Sequence, residues 1–323
     1  MRNWSDLVMF DPEKFITSAI DQIRERIKER AVIACSGGVD STVAAVLMSR
    51  AIGEQLLTVY VDNGLMRKGE NSEVDAMLSE LKVNHKIVDA SEEFFEALKG
   101  VIDPEQKRKI IGEKFIRVFE REARQFGARY LVQGTIAPDW IESGGGLRDV
   151  IKSHHNVGGL PASMDLDLVE PLRDLYKDEV RKVSRTLGIR FSERQPFPGP
   201  ALAIRVLGEV TPEAVSLVRE ANAIVEEELV RAAEAGEMAL PWQYFAVLLP
   251  VKSVGVQGDA RAYGRTIVVR AVESVDGMTA NYVKIPHDVL ERISNRISNA
   301  LKDKVNRVLY DVTNKPPATI EWE

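Results

Sequence analysis

Residues 31–42 read AVIACSGGVDST, and this stretch decides the fold. Ala31 to Cys35 carries no strongly polar residue, the pattern of a strand buried on both faces. Ser36-Gly37-Gly38-Val39-Asp40-Ser41 follows as a tight loop, and the run from Thr42 to Ala51 predicts a helix directly after it. Two glycines let the backbone pass close to a ligand. Unpaired N–H groups at the helix start favour an anion, and Ser36, Ser41 and Thr42 add hydroxyl donors. Asp40 supplies a carboxylate where a magnesium–phosphate pair would sit. The lysine of the kinase-type phosphate loop is missing, so the loop suits a held pyrophosphate better than a single phosphoryl group being handed on. The plainer alternative is a strand–helix turn with a capping serine. Cys35, in the strand, reads as a small buried apolar residue rather than a nucleophile.

Outward from this loop the pattern repeats. Upstream, Asp11-Pro12 opens a helix whose Ile16, Ile20, Ile23 and Ile27 recur at helical spacing. Downstream, apolar strands are expected at 56–61, 85–88, 130–132 and 168–171, alternating with helices at 70–81, 104–126 and 177–187. Apolar strands alternating with helices imply an α/β fold with a parallel sheet covered on both faces. Gln195 to Pro200 (QPFPGP) reads as a linker, since prolines at that density fit neither a helix nor a central strand. Beyond it lies an α+β unit. Its expected elements are a strand at 202–206, a helix from Thr211-Pro212 to about 235, β-rich stretches at 245–256 and 266–275, a helix at 287–302, and strands at 305–312 and 318–322. The expected domains are therefore 1–200 and 201–323.

The composition narrows the function. The chain has 323 residues, 45% hydrophobic, enough for two cores. A net charge of −6 gives no general attraction to nucleic acid or to an anionic membrane, so an anionic substrate must be caught by local basic residues. With one cysteine and four histidines, an internal disulfide is impossible and a Cys/His zinc site is disfavoured. The start, MRNWSDLVMFDPEKF, has no apolar run of signal-peptide length, and no stretch reaches membrane-span length. A cytoplasmic, soluble protein is expected.

Further polar clusters sit at strand ends, where open parallel sheets bind ligands. Asp62-Asn63-Gly64 follows the second strand and offers a base or ribose contact, or a plain turn. Gly134 to Glu142 (GTIAPDWIE) follows the fourth and brings Asp139 and Glu142 to the same rim, to hold magnesium, to accept a proton, or simply as a solvated loop. Lys152, His154 and His155, flanked by Gly158-Gly159, read as a lid over phosphate or as surface residues. Near the end, Arg307 and Lys315 could hold a nucleotide monophosphate, with Glu321 accepting from ring N–H groups. Read alone, Ile320-Glu321-Trp322-Glu323 is a solvated edge strand sooner than a site.

SGGVDS resembles the pyrophosphate loop of the N-type ATP pyrophosphatases. Within them the chain resembles the GMP synthases through VDNGLMRKGE, KRKIIGEKFI, GTIAPDWIES, IKSHHNVGGLP, LVEPLRDLYKDEVR, PFPGPALAIRVLGE, FAVLLPVKSVGV, DGMTA and KPPATIEWE. These stretches lie in both expected domains. The resemblance implies ATP with its pyrophosphate on Ser36 to Thr42, Mg2+ near Asp40 and adenine near the backbone of Val61. It implies that Asp139 and Glu142 help activate XMP, that Lys152, His154 and His155 lie on the closing lid, and that Lys177 reaches ATP phosphates. Arg108, Gln243, Arg307, Lys315, Ile320 and Glu321 would hold XMP. It further implies adenylylation of XMP followed by amination, and a homodimer through the C-terminal domain; from the net charge, no nucleic-acid or membrane partner is expected. The sequence starts almost at the ATP domain, and Cys35 is misplaced for a glutaminase nucleophile. A separate glutamine amidotransferase subunit is therefore expected to supply ammonia. An NAD synthase is the alternative that shares the loop but not the C-terminal part.

Overall fold

A computed structural model of the chain describes residues 10–138, 166–189, 195–257, 260–275 and 277–323. The chain divides into two compact units. The first comprises Met1–Asp62, Asn71–Asp89 and Phe115–Arg194; the second comprises Asn63–Glu70, Ala90–Lys114 and Gln195–Glu323. The division at Gln195 falls in the expected linker, but the second unit also takes two earlier segments that no composition shift marks.

The first unit is built on five parallel strands: β1 (Ala31–Ala34), β2 (Leu56–Asp62), β3 (His85–Asp89), β4 (Tyr130–Val132) and β5 (Asp167–Val169). Their order is β3-β2-β1-β4-β5. The chain leaves β1 towards β2 on one side and returns to β4 on the other, so the strand order reverses beside β1. Such a reversal opens a crevice at the carboxyl ends of the strands. Helix α1 (Pro12–Arg26) starts as its sequence requires: the Asp11 carboxylate accepts from the Glu13 and Lys14 N–H groups, and Pro12 takes a first-turn position. It buries Ile16, Ala19 and Ile23. Helix α2 (Val39–Ile52) is buried from Thr42 through Met48, as expected of a helix that is apolar on all sides. These two pack with each other and with α6 (Lys177–Thr186). Helix α3 (Glu70–Glu80) lies between β2 and β3 in the chain.

The second unit carries α4 (Ser91–Leu98) and the start of α5 (Pro104–Phe126). Its sheet is a long antiparallel hairpin of β6 (Gln243–Gln257) and β7 (Ala260–Glu273). The far side of β7 pairs with β8 (Asn281–Tyr282, antiparallel) and β9 (Val305–Tyr310, parallel). Helices α7 (Pro212–Glu234) and α8 (His287–Ala300) pack together, α7 also against β6. Phe245, Val247 and Val268 form a buried core on which Leu207, Leu249 and Ile320 pack. Each such side chain contributes roughly 1.5–3 kcal/mol when fully buried.

Three expected elements differ. Residues 201–205 form a 3-10 turn rather than a strand, with all five residues buried. The strand expected at 202–206 is thus replaced over Leu202–Arg205 by this turn, which opens on Ala201 at φ +54°. Residues 318–322 form no strand either; side chains, described below, take up the carbonyls of this tail. Strand β7 begins at Ala260 rather than 266, because the outer part of the hairpin is exposed at Val256 and Tyr263 and shows no buried alternation.

Helices α7 and α8 are joined by charge. Glu228, 1% exposed, receives Arg231, Arg292 and Arg296. Burial alone would push its carboxyl pKa up, but the three arginines more than offset this and hold it below the ordinary glutamate value. A depressed carboxylate contributes stability above the unfolded-state pKa and loses it as pH falls through the folded one. Unfolding of the wild type should therefore gain an acid-sensitive component in that window, and the Glu228→Gln protein should lack part of it. Identical pH–stability curves for the two would remove Glu228 from the account.

Candidate functional site

The loop after β1 is shaped by its own hydroxyls. Gly37 adopts φ +76°, and a Cβ there would stand 3.0 Å from Val74 Cγ2. The Ser36 N–H donates to Ser41 Oγ (3.3 Å), and the Gly38 N–H to Ser36 Oγ (3.4 Å). Ser41 Oγ and Thr42 Oγ1 both donate back to the Gly38 carbonyl, at 3.1 and 2.8 Å. Gly38 caps α2 without a side-chain bond, so the first helical N–H groups meet whatever occupies the loop. Val39 follows as the first residue of α2. Cys35 is 1% exposed, and burial pushes its thiol pKa up; it is structural, as its sequence position implied.

Lys177, at the start of α6, places Nζ 2.5 Å from Asp40 Oδ2. The other oxygen, Oδ1, is buried without a hydrogen-bond partner among the described residues. Lone pairs on a buried carboxylate oxygen cost free energy unless something donates to or coordinates them. A hard cation fits that oxygen, and Mg2+ characteristically takes one or two carboxylates and completes its shell with phosphate and water. Among the described residues no group of three or more His, Cys, Asp or Glu could hold a metal ion.

The strand ends converge here. Gly134, just past β4, lies so close that a Cβ would stand 2.9 Å from the Asp40 carbonyl carbon and 3.0 Å from the Ser41 nitrogen. Neither is a flexible side-chain end. Gly134→Ala should displace the start of α2 and cost about 1–3 kcal/mol by overpacking. Thermal melting checks this; an unshifted transition would show that the approach has slack. Val61 is 3% exposed and lies past Val59, the last rung that β2 shares with β1. The Asp62-Asn63-Gly64 turn is partly structural: Asn63 is buried, and its Oδ1 accepts from the Leu65 N–H at 2.9 Å. Asp139, Glu142, Lys152, His154 and His155 lie outside the described residues.

In the second unit, a separate cluster forms around the tail. Glu321 accepts from Arg205 Nη2 (2.8 Å), Arg205 Nε (3.1 Å) and Gln243 Nε2 (2.9 Å). Arg270, fully buried, donates to the carbonyls of Thr313 (2.5 Å), Thr319 (3.0 Å) and Ile320 (3.4 Å) and pairs with Asp311. Lys107, also fully buried, pairs with the Glu323 carboxylate and donates to the Val206 carbonyl (2.8 Å). Burial lowers the Lys107 pKa and raises that of Glu323, each opposed by its partner. Arg108 Nη2 donates to the Glu323 carbonyl at 2.5 Å. Lys315 Nζ donates to the Gly277 carbonyl at 2.7 Å.

Gln243 and Glu321 are thus brought together, with Ile320 adjoining Glu321 and Arg108 bonded to Glu323 in the same tail, whereas the Lys315 ammonium bonds to Gly277. Arg307 lies apart. It pairs in register with Thr266, six residues along β7 from Val272, the partner of Gln243, or roughly 20 Å. Arg205, Arg270 and Lys107 were missed from sequence. The signal was present for the first two: a lone arginine inside an apolar run (ALAIRVL, TIVVRAV) must find a partner.

Fold and loop together define the class: an α/β protein of the NAD synthase-like, N-type ATP pyrophosphatase type, extended by a smaller unit with an antiparallel hairpin. Residues 11–126 match the NAD synthase family, and residues 230–322 match the family described as GMP synthase C terminal domain. A glutamine-hydrolyzing GMP synthase subunit of Methanopyrus kandleri is 61% identical over 98% of this chain and 100% of its own length. The corresponding GMP synthase subunits of Thermoplasma acidophilum and Pyrococcus abyssi are 58% and 59% identical, over 95% and 96% of this chain and 99% of theirs. The chain belongs to this family of GMP synthase subunits.

Proposed function

We propose that this chain is the synthetase subunit of a GMP synthase. It uses ATP to adenylylate XMP and then lets ammonia displace AMP, giving GMP, AMP and pyrophosphate. The observation that carries this is the loop of Ser36 to Thr42 with its Lys177–Asp40 pair, in a chain whose relatives carry that name along their whole length.

The chemistry turns a poor leaving group, the oxygen at C2, into a good one. The chain's own residues supply electrostatics and shelter. Backbone N–H groups and the hydroxyls of Ser36, Ser41 and Thr42 would hold the pyrophosphate of ATP, with adenine near the backbone of Val61. Lys177 neutralises phosphate charge from the side of Asp40. Asp40 would hold Mg2+ through Oδ1, the ion supplying charge neutralisation on the phosphates. Asp139 and Glu142 would help activate XMP, and Lys152, His154 and His155 would close over the site. Arg108, Gln243, Lys315, Ile320 and Glu321 would hold XMP. Arg307 would join them from outside the Gln243–Glu321 cluster.

A homodimer through the second unit, a cytoplasmic location and a separate glutamine amidotransferase partner complete the reading. No described helix is long and apolar enough to cross a membrane. GMP formation by the purified chain, with ATP, Mg2+ and XMP, tests it. Activity with ammonium and none with glutamine is expected. Adenylylation of deamido-NAD instead of XMP would move the chain to the NAD synthases.

A further inference from the structure

Glu321 is held in one orientation. A carboxylate offers about four lone-pair directions. Three are taken, two on Oε1 by Arg205 Nη2 and Gln243 Nε2, one on Oε2 by Arg205 Nε. The side chain remains 17% exposed, so the open acceptor direction on Oε2 belongs to a group that solvent still reaches.

The guanidinium opposite cannot turn. Arg205 is 1% exposed, its carbon lies 4.1 Å from the centroid of Phe245 and 5.1 Å from that of Phe197, and Nη1 meets Asn222 Oδ1 at 3.4 Å. Asn222, also 1% exposed, is fixed in turn by the Ala246 N–H at 3.3 Å. Arg67 lies over the same Phe197 ring at 4.5 Å, and bonds to Glu70 hold it there. Aromatic faces and a planar fork together set the plane in which the carboxylate must lie. A carboxylate so engaged presents acceptor oxygens to whatever meets its open side. Carboxylate acceptor oxygens receive a purine ring N–H, as xanthine presents, and repel an unprotonated ring nitrogen, as adenine presents.

We infer that Arg205 is the positioning residue for Glu321, fixing the direction of the acceptor that reads the purine edge, and so helps set base specificity without touching the substrate. The inference rests on the reading of Glu321 as an XMP contact. Arg270 holds the neighbouring backbone, but its donors end on carbonyls and Asp311, so it fixes the tail without aiming the carboxylate.

The test is ammonium-dependent GMP formation by the full chain, with KM measured for XMP and for ATP. The variants are Arg205→Lys, Arg205→Met, Glu321→Gln and the Met/Gln double. Arg205→Lys keeps the charge but loses the fork, and should raise the XMP KM about tenfold with the ATP KM nearly unchanged. In the Glu321→Gln background, Arg205→Met should add almost nothing, because its effect passes through Glu321. Multiplying effects in the double variant, equal rises for both substrates, or an unchanged XMP KM in folded Arg205→Lys would overturn the inference. If Arg205→Met does not fold, Arg205→Lys decides. An unchanged XMP KM in Glu321→Gln would instead sink the reading of Glu321 itself.

Discussion

Asp40→Ala is expected to abolish XMP-dependent exchange of pyrophosphate into ATP, by at least about a thousandfold, in a protein that still folds. The size follows from what the side chain does. It balances Lys177 at 2.5 Å and presents a buried oxygen with no other described partner. Removing one preorganised group that meets developing charge costs about 10²–10³ in rate, and this one also positions a second charge. The fold should tolerate the loss. Asp40 sits in the first turn of α2 with its side chain 28% exposed, where an acidic residue contributes only about 0.3–1 kcal/mol through the helix dipole. Asp40→Asn separates the roles, since it keeps a polar partner for Lys177 and removes the charge. Near-wild-type exchange in folded Asp40→Ala would refute the role.

Deletion of Ile320 to Glu323 is expected to weaken XMP binding far more than ATP binding, and to lower stability as well. The stability effect is a consequence of the tertiary structure. Deletion strips Arg205 of both Glu321 oxygens and Lys107 of the Glu323 carboxylate, and removes Ile320 from the Phe245–Val268 core. Breaking a buried ion pair by removing one partner costs about 3–5 kcal/mol. Lys107 can relieve part of its share. Burial already lowers its pKa, and without Glu323 the amine can shed its proton while the Val206 carbonyl still accepts from it. Arg205 has no such escape. Melting curves and KM values for both substrates check the prediction, with Glu321→Gln as the version that keeps the rest of the tail. Equal losses of XMP and ATP binding would count against a tail that recognises XMP.

Much of the first unit was legible because its signals are local. A strand without polar residues, a two-glycine loop and an apolar helix adjoin one another within residues 31–52, and each agrees with the next. The helix at 104–126 and the strand at 130–132 came out with their observed bounds. Errors gathered where a long-range partner replaces the local pattern. Residues 202–206 are apolar enough for a strand, yet 201–205 form a compact, buried 3-10 segment whose Arg205 meets Glu321. The tail reads as a strand because it is short and alternating, yet the Arg270 side chain, rather than a ladder, takes its carbonyls.

The sequence by itself determined the two-glycine loop between strand and helix and the alternation of strands and helices in the first unit. Their chemistry and spacing along the chain are properties of neighbours. Only the tertiary structure decided which distant groups meet. Asp40 and Lys177 stand 137 positions apart, Arg205 and Glu321 116, and Lys107 and Glu323 216. No local pattern encodes such pairs. They form because packing the sheet and burying the tail leave a charge in low-dielectric surroundings, where an opposite charge is the least costly neighbour.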